Sequence, residues 1–200
     1  MKNKVIRTST IAASLDVLLK GQLSYLNNSY NVIAVSGNDE YLQNVKNREN
    51  IRIHDIKIER NINLFKDIIS LYKLINFFYK EKPLMVHSIT PKAGLLSMIA
   101  AYLTGVPIRV HTFTGLIFPT RTGIMKKVLI TMDQLLCACA TDIYPEGQGV
   151  ANDLKAYKIT KKPLKVIANG NVNGVDVSYF EPSLFSIQEK QTLKNSLGIA

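Results

Sequence analysis

Residues 84–119, LMVHSITPKAGLLSMIAAYLTGVPIRVHTFTGLIFP, read as strand, polar turn, helix, strand, polar turn. Two buried-looking strands, 84–89 and 107–113, each end in a cluster of His, Thr, Pro and Gly. In an open parallel α/β sheet, ligands bind outside the carboxyl ends of the strands. One segment thus points both to a fold and to the edge of a site.

The flanking sequence continues the alternation. Lys4–Thr8 reads as a first strand, followed by a small polar turn at Thr10–Ser14. Leucines 15, 18, 19, 23 and 26 recur at helical spacing and predict a helix over Leu15–Leu26, stopped by Asn27-Asn28-Ser29. Strands are expected at Tyr30–Val35 and at Ile51–Ile58, the latter near a sheet edge. Asn63–Lys82 carries the strongest helical stripe, with Leu64, Ile68, Leu71, Ile75 and Phe78 on one face, and Lys82-Pro83 ends it. Helix 91–104 is apolar nearly all round, which predicts burial between the sheet and its neighbours. Further helices are expected at 123–141, 149–157 and 187–197, the last closed by Gly198. Short strands are expected at Asp142–Tyr144 and Leu164–Ile167. This order of elements predicts an α/β fold with a doubly wound, mostly parallel sheet. The Gly/Asn-rich stretch 169–174 is the candidate domain boundary.

The chain has 200 residues and a net charge of +10, with 46% hydrophobic and 20% charged residues, an ordinary balance for a globular protein with a real core. The positive charge is dispersed over Lys57/Arg60, Lys80/Lys82, Arg121/Lys126/Lys127 and Lys161/Lys162/Lys165. No basic block is interleaved with aromatics, so nucleic acid is not expected as a partner. The remaining readings of the charge are a solvated basic surface, a phosphorylated substrate or an anionic membrane. Cys137 and Cys139, two apart on a helix, point to different faces and read as buried, reduced thiols. The apolar run from Ala93 to Ile108 is broken by Gly105 and Pro107 and is too short for a membrane span.

Four places carry candidate chemistry. Thr90-Pro91-Lys92 suits the first turn of a helix, with Thr90 as N-cap and Pro91 at the first helical position. Such a start favours an anion, with the charge of Lys92 beside it. The alternative is a well-capped helix with a solvated lysine. His87 lies near the carboxyl end of its strand, as either a ligand contact or a packed strand residue. His111-Thr112-Phe113-Thr114-Gly115 offers hydroxyls, a glycine that permits close backbone approach, and a histidine able to serve as general base near neutral pH. The first turn, Thr8–Ser14, lacks G-x-G-x-x-G, which excludes a dinucleotide cofactor there. Its last residue, Ser14, is a candidate substrate contact.

VHSITPKAGLL (86–96), GVPIRVHTFTGLIFP (105–119), IYPEGQGV (143–150) and KVIANGNVNGVD (165–176) together resemble the N-terminal half of a retaining, family 4 type glycosyltransferase of GT-B architecture. The resemblance is to bacterial enzymes of capsule, exopolysaccharide and O-antigen assembly. It implies a Rossmann-like acceptor-side domain at 1–170, then a linker at 171–200 that leads toward a donor-binding domain. It implies a nucleotide-sugar as co-substrate, no cofactor, usually no metal, and a lipid-linked saccharide as acceptor. The expected setting is peripheral to the anionic, cytoplasmic face of the plasma membrane. His111 is then the candidate catalytic residue. Ser14, His87, Thr90, Lys92, Thr112, Thr114 and Gly115 are candidate substrate contacts.

The sequence departs from that pattern in two turns. Thr114 stands where many relatives place a histidine before the glycine, and the first turn lacks the glycine pair many use near the donor phosphates. No donor domain follows within the 200 residues, so the chain alone is expected to be nearly inactive. An incomplete sequence, a truncated gene and one subunit of a split enzyme all fit. A non-catalytic docking subunit is the competing function. A sugar-nucleotide epimerase is disfavoured by the missing glycine fingerprint.

Overall fold

The computed structural model describes residues 2–199. Strands β1 (Lys4–Thr8), β2 (Asn31–Ser36), β3 (Arg52–Asp55), β4 (Met85–Ser88), β5 (Ile108–Phe113) and β6 (Asp142–Pro145) pair in parallel in the order β3-β2-β1-β4-β5-β6. The chain adds strands to one side of β1 up to β3, then crosses to the other side at β4. The crevice at the carboxyl edge between β1 and β4 is therefore the switch point of the sheet.

Parallel neighbours require crossovers, and the crossovers cover both faces. Helices α1 (Ala12–Leu18), α2 (Gln22–Asn27) and α3 (Glu40–Glu49) lie on one face, where Leu15, Leu19, Leu23, Leu42 and Val45 pack on Val32 and Ala34. Helices α4 (Leu64–Glu81), α5 (Pro91–Leu103) and α6 (Gly123–Cys139) lie on the other. There Leu74, Phe78, Met98, Ala101 and Leu136 join Ile6, Ile33 and Val86 in one core. Helix α5 sits between α4 and α6, which explains its lack of a polar face. Ala93, Gly94, Ser97, Ala100 and Ala101 are small enough to let both neighbours approach. Helix α7 (Gln148–Ala156) closes the β6 side through Leu154.

The doubly wound sheet, the edge position of β3 and the long helix before Pro83 agree with the sequence reading. Asn63 caps α4 through the Lys66 amide, and Lys82 ends it in the left-handed region. Cys137 and Cys139 are buried free thiols, and burial pushes the Cys137 thiol up to about 12.

Two expectations are corrected and one helix is added. The helix predicted over 15–26 is two helices, broken at Gly21 with φ +78°. The break is held by Glu49, which is 2% exposed and accepts the Gly21 amide at 2.9 Å, the Ser24 amide at 3.0 Å and Arg48 Nε at 2.8 Å. Burial alone would raise the pKa of that carboxyl, but these donors outweigh it and hold it below its ordinary value. Next, α3 has no counterpart in the apolar periodicity, because only Leu42 and Val45 face inward as hydrophobes. Its start is fixed by Asp39 accepting the Leu42 amide. Last, Leu164–Ile167 joins no ladder. Lys162 instead turns back to donate to the carbonyls of Cys137 (2.6 Å) and Ala140, closing the end of α6.

The stretch 169–174 is fastened at two points. The Asn171 amide donates to the Glu146 carbonyl at 2.8 Å, and Gln22 Nε2 donates to the Val172 carbonyl at 2.6 Å. A Cβ on Gly170, at φ +89°, would lie 2.7 Å from the Glu146 carbonyl oxygen. Every residue from Asn173 to Ile199 is exposed, including helix α8 (Ile187–Ser196) with its Ser186/Glu189 capping box and Gly198 just past its end.

Glu49→Gln keeps the shape of the side chain but weakens three charge-assisted contacts. It should lower unfolding stability by about 1–3 kcal/mol in urea titrations at neutral pH; an unchanged midpoint would mean that Glu49 does not hold the α1–α2 break.

Candidate functional site

A pocket of about 270 Å³ opens at the switch point. Thr10 and Ile11 come from the turn after β1 and Ser14 from the first turn of α1, Thr90 from the turn after β4 and Pro91 and Lys92 from the first turn of α5, and Gly115 and Ile117 from the turn after β5. Leu129, Met132 and Asp133 of α6 form the far wall, and Arg60 and Ile62 the near rim.

The β1 and β4 turns are joined by a hydroxyl relay. Thr90 Oγ1 accepts the Thr10 amide at 2.8 Å and lies 2.9 Å from Thr10 Oγ1, which accepts the Ala93 amide at 3.0 Å. Thr90 thus occupies the cap position of α5 while the hydroxyl of Thr10 does the capping. The two hydroxyls carry two protons and share one contact, so one O–H has no acceptor among the described residues.

The expected anion seat at the start of α5 is partly occupied by the chain itself. Pro91 has no N–H, and the Ala93 amide is taken by Thr10. Lys92 Nζ is 2.7 Å from Asp67 Oδ1 and donates to the Asn61 carbonyl, so its charge is already matched. Its role is to clamp the 59–63 loop onto α5, which places Arg60 and Ile62 at the rim.

Of the sequence-predicted residues, Ser14, Thr90, Lys92 and Gly115 line this pocket, the last at φ +156°. The others do not: His87 and Thr112 by parity, since successive strand residues face opposite sides, and His111 because it lies deeper on the face of Phe113. His111 points beneath α5 and is 1% exposed. Its Nδ1 lies 2.8 Å from Ser88 Oγ, its ring meets Phe113 edge-on, and a Cβ on Gly94 would lie 2.5 Å from its Cε1. Burial pushes its pKa down to about 3. The ring is therefore neutral, sealed under a helix and out of reach of the pocket in this structure, with Nε2 left without a partner among the described residues. His87 and Thr112 lie on the opposite face, with His87 Nε2 2.8 Å from Thr112 Oγ1. Thr114 donates to the Ile89 carbonyl at 3.0 Å and braces the turn.

Thr10, Arg60 and Asp133 are pocket residues that the sequence reading passes over. Asp133 forms no hydrogen bond or ion pair among the described residues, and burial among Leu129, Met132 and Phe113 raises its pKa to about 7. Its signal was present in the sequence: an acid four after Leu129 and three before Leu136, inside an apolar stripe. Arg60 is likewise unpaired among the described residues. An apolar wall, a free carboxyl, a free hydroxyl proton and a rim arginine suit a hydroxyl-rich ligand that carries an anionic group.

The sequence profile of the glycosyl transferase 4-like family matches residues 11–146, which contain nearly all of this pocket. The chain belongs to that family. Within the glycosyl transferase 4-like proteins it is 34% identical over 195 residues to the capsular polysaccharide biosynthesis glycosyltransferase CapM of Staphylococcus aureus, covering 95% of this chain and 50% of that one. It is 34% identical over 129 residues to the UDP-Gal:alpha-D-GlcNAc-diphosphoundecaprenol alpha-1,3-galactosyltransferase of Escherichia coli, covering 62% and 32%. The chain thus spans half the length of the first relative and about a third of the second. Its fold matches half of a Rickettsia africae glycosyltransferase (TM-score 0.64, 15% identity, 100% of this chain and 50% of that one). It also matches half of Anabaena Alr3699/HepE, solved with UDP-glucose (TM-score 0.67, 14% identity, 98% and 50%). The fold is that of one GT-B half.

In the folded state Asp133 holds its proton up to about pH 7, while in the unfolded chain it loses it near pH 4. Its contribution to stability therefore falls as pH rises through that window and is lowest above pH 7. Asp133→Asn should raise stability by about 1–3 kcal/mol at pH 8, with a smaller gain at pH 5, measured by denaturant unfolding at both values. Equal effects at the two pH values would show that the carboxyl is not desolvated.

Proposed function

We propose that this chain is the acceptor-side domain of a retaining, nucleotide-sugar-dependent glycosyltransferase that extends a lipid-linked saccharide during cell-surface polysaccharide synthesis. The observation that carries the reading is the 34% identity to a capsular polysaccharide glycosyltransferase along 95% of the chain, which includes the residues that build one pocket at the sheet's switch point. The E. coli relative, by its name, acts on a sugar joined to undecaprenol through a diphosphate. A sugar fits the pocket's mixed lining, with the free Thr10/Thr90 hydroxyl proton and the Asp133 carboxyl meeting ring hydroxyls. Arg60 at the rim suits the diphosphate.

The chain's own residues would bind and orient the acceptor, and the donor would be held by a second half. Orientation of two reactants supplies a large part of the acceleration in such a transfer. The isolated chain is therefore expected to bind acceptor and to show only background transfer.

The lipid part implies a bilayer, and the surface around the pocket supports that reading. No helix among the described residues is long and apolar enough to cross a membrane. Leu64, Phe65, Ile68 and Tyr72 of α4 are 65–75% exposed, and Ile124, Met125 and Val128 of α6 are exposed beside them. Both helices begin at the carboxyl edge and flank the start of α5, so the apolar residues stand on either side of the pocket mouth. Arg60, Lys73, Arg121 and Lys127, close to them in sequence, are exposed as well. Exposed apolar side chains together with basic ones match an anionic bilayer surface, where each basic residue adds about 1 kcal/mol. The expected location is the cytoplasmic face of the plasma membrane.

Two measurements test these statements. A short-chain polyprenyl-diphosphate N-acetylglucosamine should bind the chain saturably in calorimetry, about tenfold more weakly after Arg60→Ala. No binding by the wild-type chain would remove the acceptor assignment. In flotation, phosphatidylglycerol vesicles should carry the chain at low salt, and the double variant Phe65→Glu, Ile68→Glu should stay behind. Flotation that ignores both lipid charge and this variant would refute the docking face.

A further inference from the structure

On the sheet face opposite the acceptor pocket lies a second cavity, of about 570 Å³, beneath α2. Its lining includes Arg7, Lys20, Gln22, Tyr25, His87 and Asn173, and contains no Asp or Glu. Arg7 and His87 are register partners on adjacent strands, so their side chains rise side by side from the centre of the sheet. Arg7 is 4% exposed, its Nε is buried without an acceptor, and it forms no ion pair or hydrogen bond among the described residues. Burial lowers its pKa only to about 10, so the guanidinium is still charged at neutral pH. A buried charge without a partner is costly, and nearly all such groups are paired. Glu49, the nearby buried acid, is already engaged by Gly21, Ser24 and Arg48.

The neighbours of Arg7 add positive charge or donors. Lys20 has no ion pair among the described residues. Asp176, outside the cavity lining, feels its charge, but that carboxyl already accepts from Ser178 and Tyr179. His87 is engaged at Nε2 by Thr112, and burial, the charge of Arg7 and then His111 hold it neutral. When the Thr112 hydroxyl donates to Nε2, Nδ1 carries the proton and becomes a donor.

We propose that this cavity is an anion site that takes a phosphate group, with Arg7 as its central ligand and Lys20 and His87 at its sides. The buried charge of Arg7 with the mobile, exposed charge of Lys20 beside it matches a phosphate dianion better than a single carboxylate, and a guanidinium fork meets two phosphate oxygens at once. The phosphate comes either free or on a nucleotide. The assignment does not rest on the acceptor reading, because the cavity shares no lining residue with the first pocket.

The test uses the 200-residue chain labelled with ¹⁵N-arginine, titrated with inorganic phosphate at constant ionic strength and followed at the Arg7 Nε–H resonance. A saturable shift is expected, together with a higher melting temperature than in matched chloride. Arg60→Ala should retain both effects and Arg7→Met should lose them. Where Arg7→Met does not fold, the exposed Lys20→Gln variant should weaken phosphate binding about threefold or more. UDP acting at lower concentration than phosphate at the same resonance assigns a nucleotide, and equal potency assigns free phosphate. An Arg7 signal indifferent to phosphate, or an unchanged response in Lys20→Gln and Arg7→Met, overturns the proposal.

Discussion

Parallel pairing obliges the chain to cross the sheet after every strand, and each crossing brings its helix start back to the same edge. In this protein the six parallel strands direct the turns after β1, β4 and β5 to one place, where Thr10, Thr90 and Gly115 meet. The small residues of α5 follow from the same constraint. That helix must fit between α4 and α6 while lying over His111, and Gly94 leaves the room its ring occupies. The pocket is what remains above α5, between helices that flank its start.

Charge is distributed with a clear division. Lys92, Lys162, Arg48 and Glu49 serve the architecture, each paired with a carboxylate, carbonyl or amide. Arg60, Asp133 and Arg7 have no such partners among the described residues, and each lines a cavity. Arg60 is exposed and solvated, so the unpaired groups that stand out are Arg7 and Asp133, which burial removes from water. They mark the places where a ligand, rather than the chain, is expected to complete the pairing.

Much of this was legible in the sequence. Apolar strands bounded by polar turns announced the doubly wound sheet, and the stripe of α4 announced its longest helix. The amphipathic signal was too faint for α3, with two inward hydrophobes, and too continuous across the break at Gly21. The strand ends after β4 and β5 were legible as a site, but not which residues face it. His111 and Thr112 are adjacent and point to opposite sides of the sheet, and nothing in HTFTG fixes that parity. Thr90 sits where an N-cap belongs, yet the relay to Thr10 joins residues eighty apart in sequence. Asp133 was overlooked because a helix acid is ordinarily on the outer face, and only its place in the Leu129–Leu136 stripe betrays it.

The two fastenings of the 169–174 stretch have a mechanical consequence. Asn171 and Val172 are tied to Glu146 and Gln22, on separate elements of the domain, and no side chain beyond them is buried. Gly174, at φ +69°, is the first residue past the ties with the backbone freedom of glycine. Gln22 also donates to Asn173 Oδ1 at 3.3 Å, so the first untied hinge position is Gly174, not the end of α7. A change of backbone direction at that residue leaves the ties to Glu146 and Gln22 in place, and with them the turns that shape the pocket.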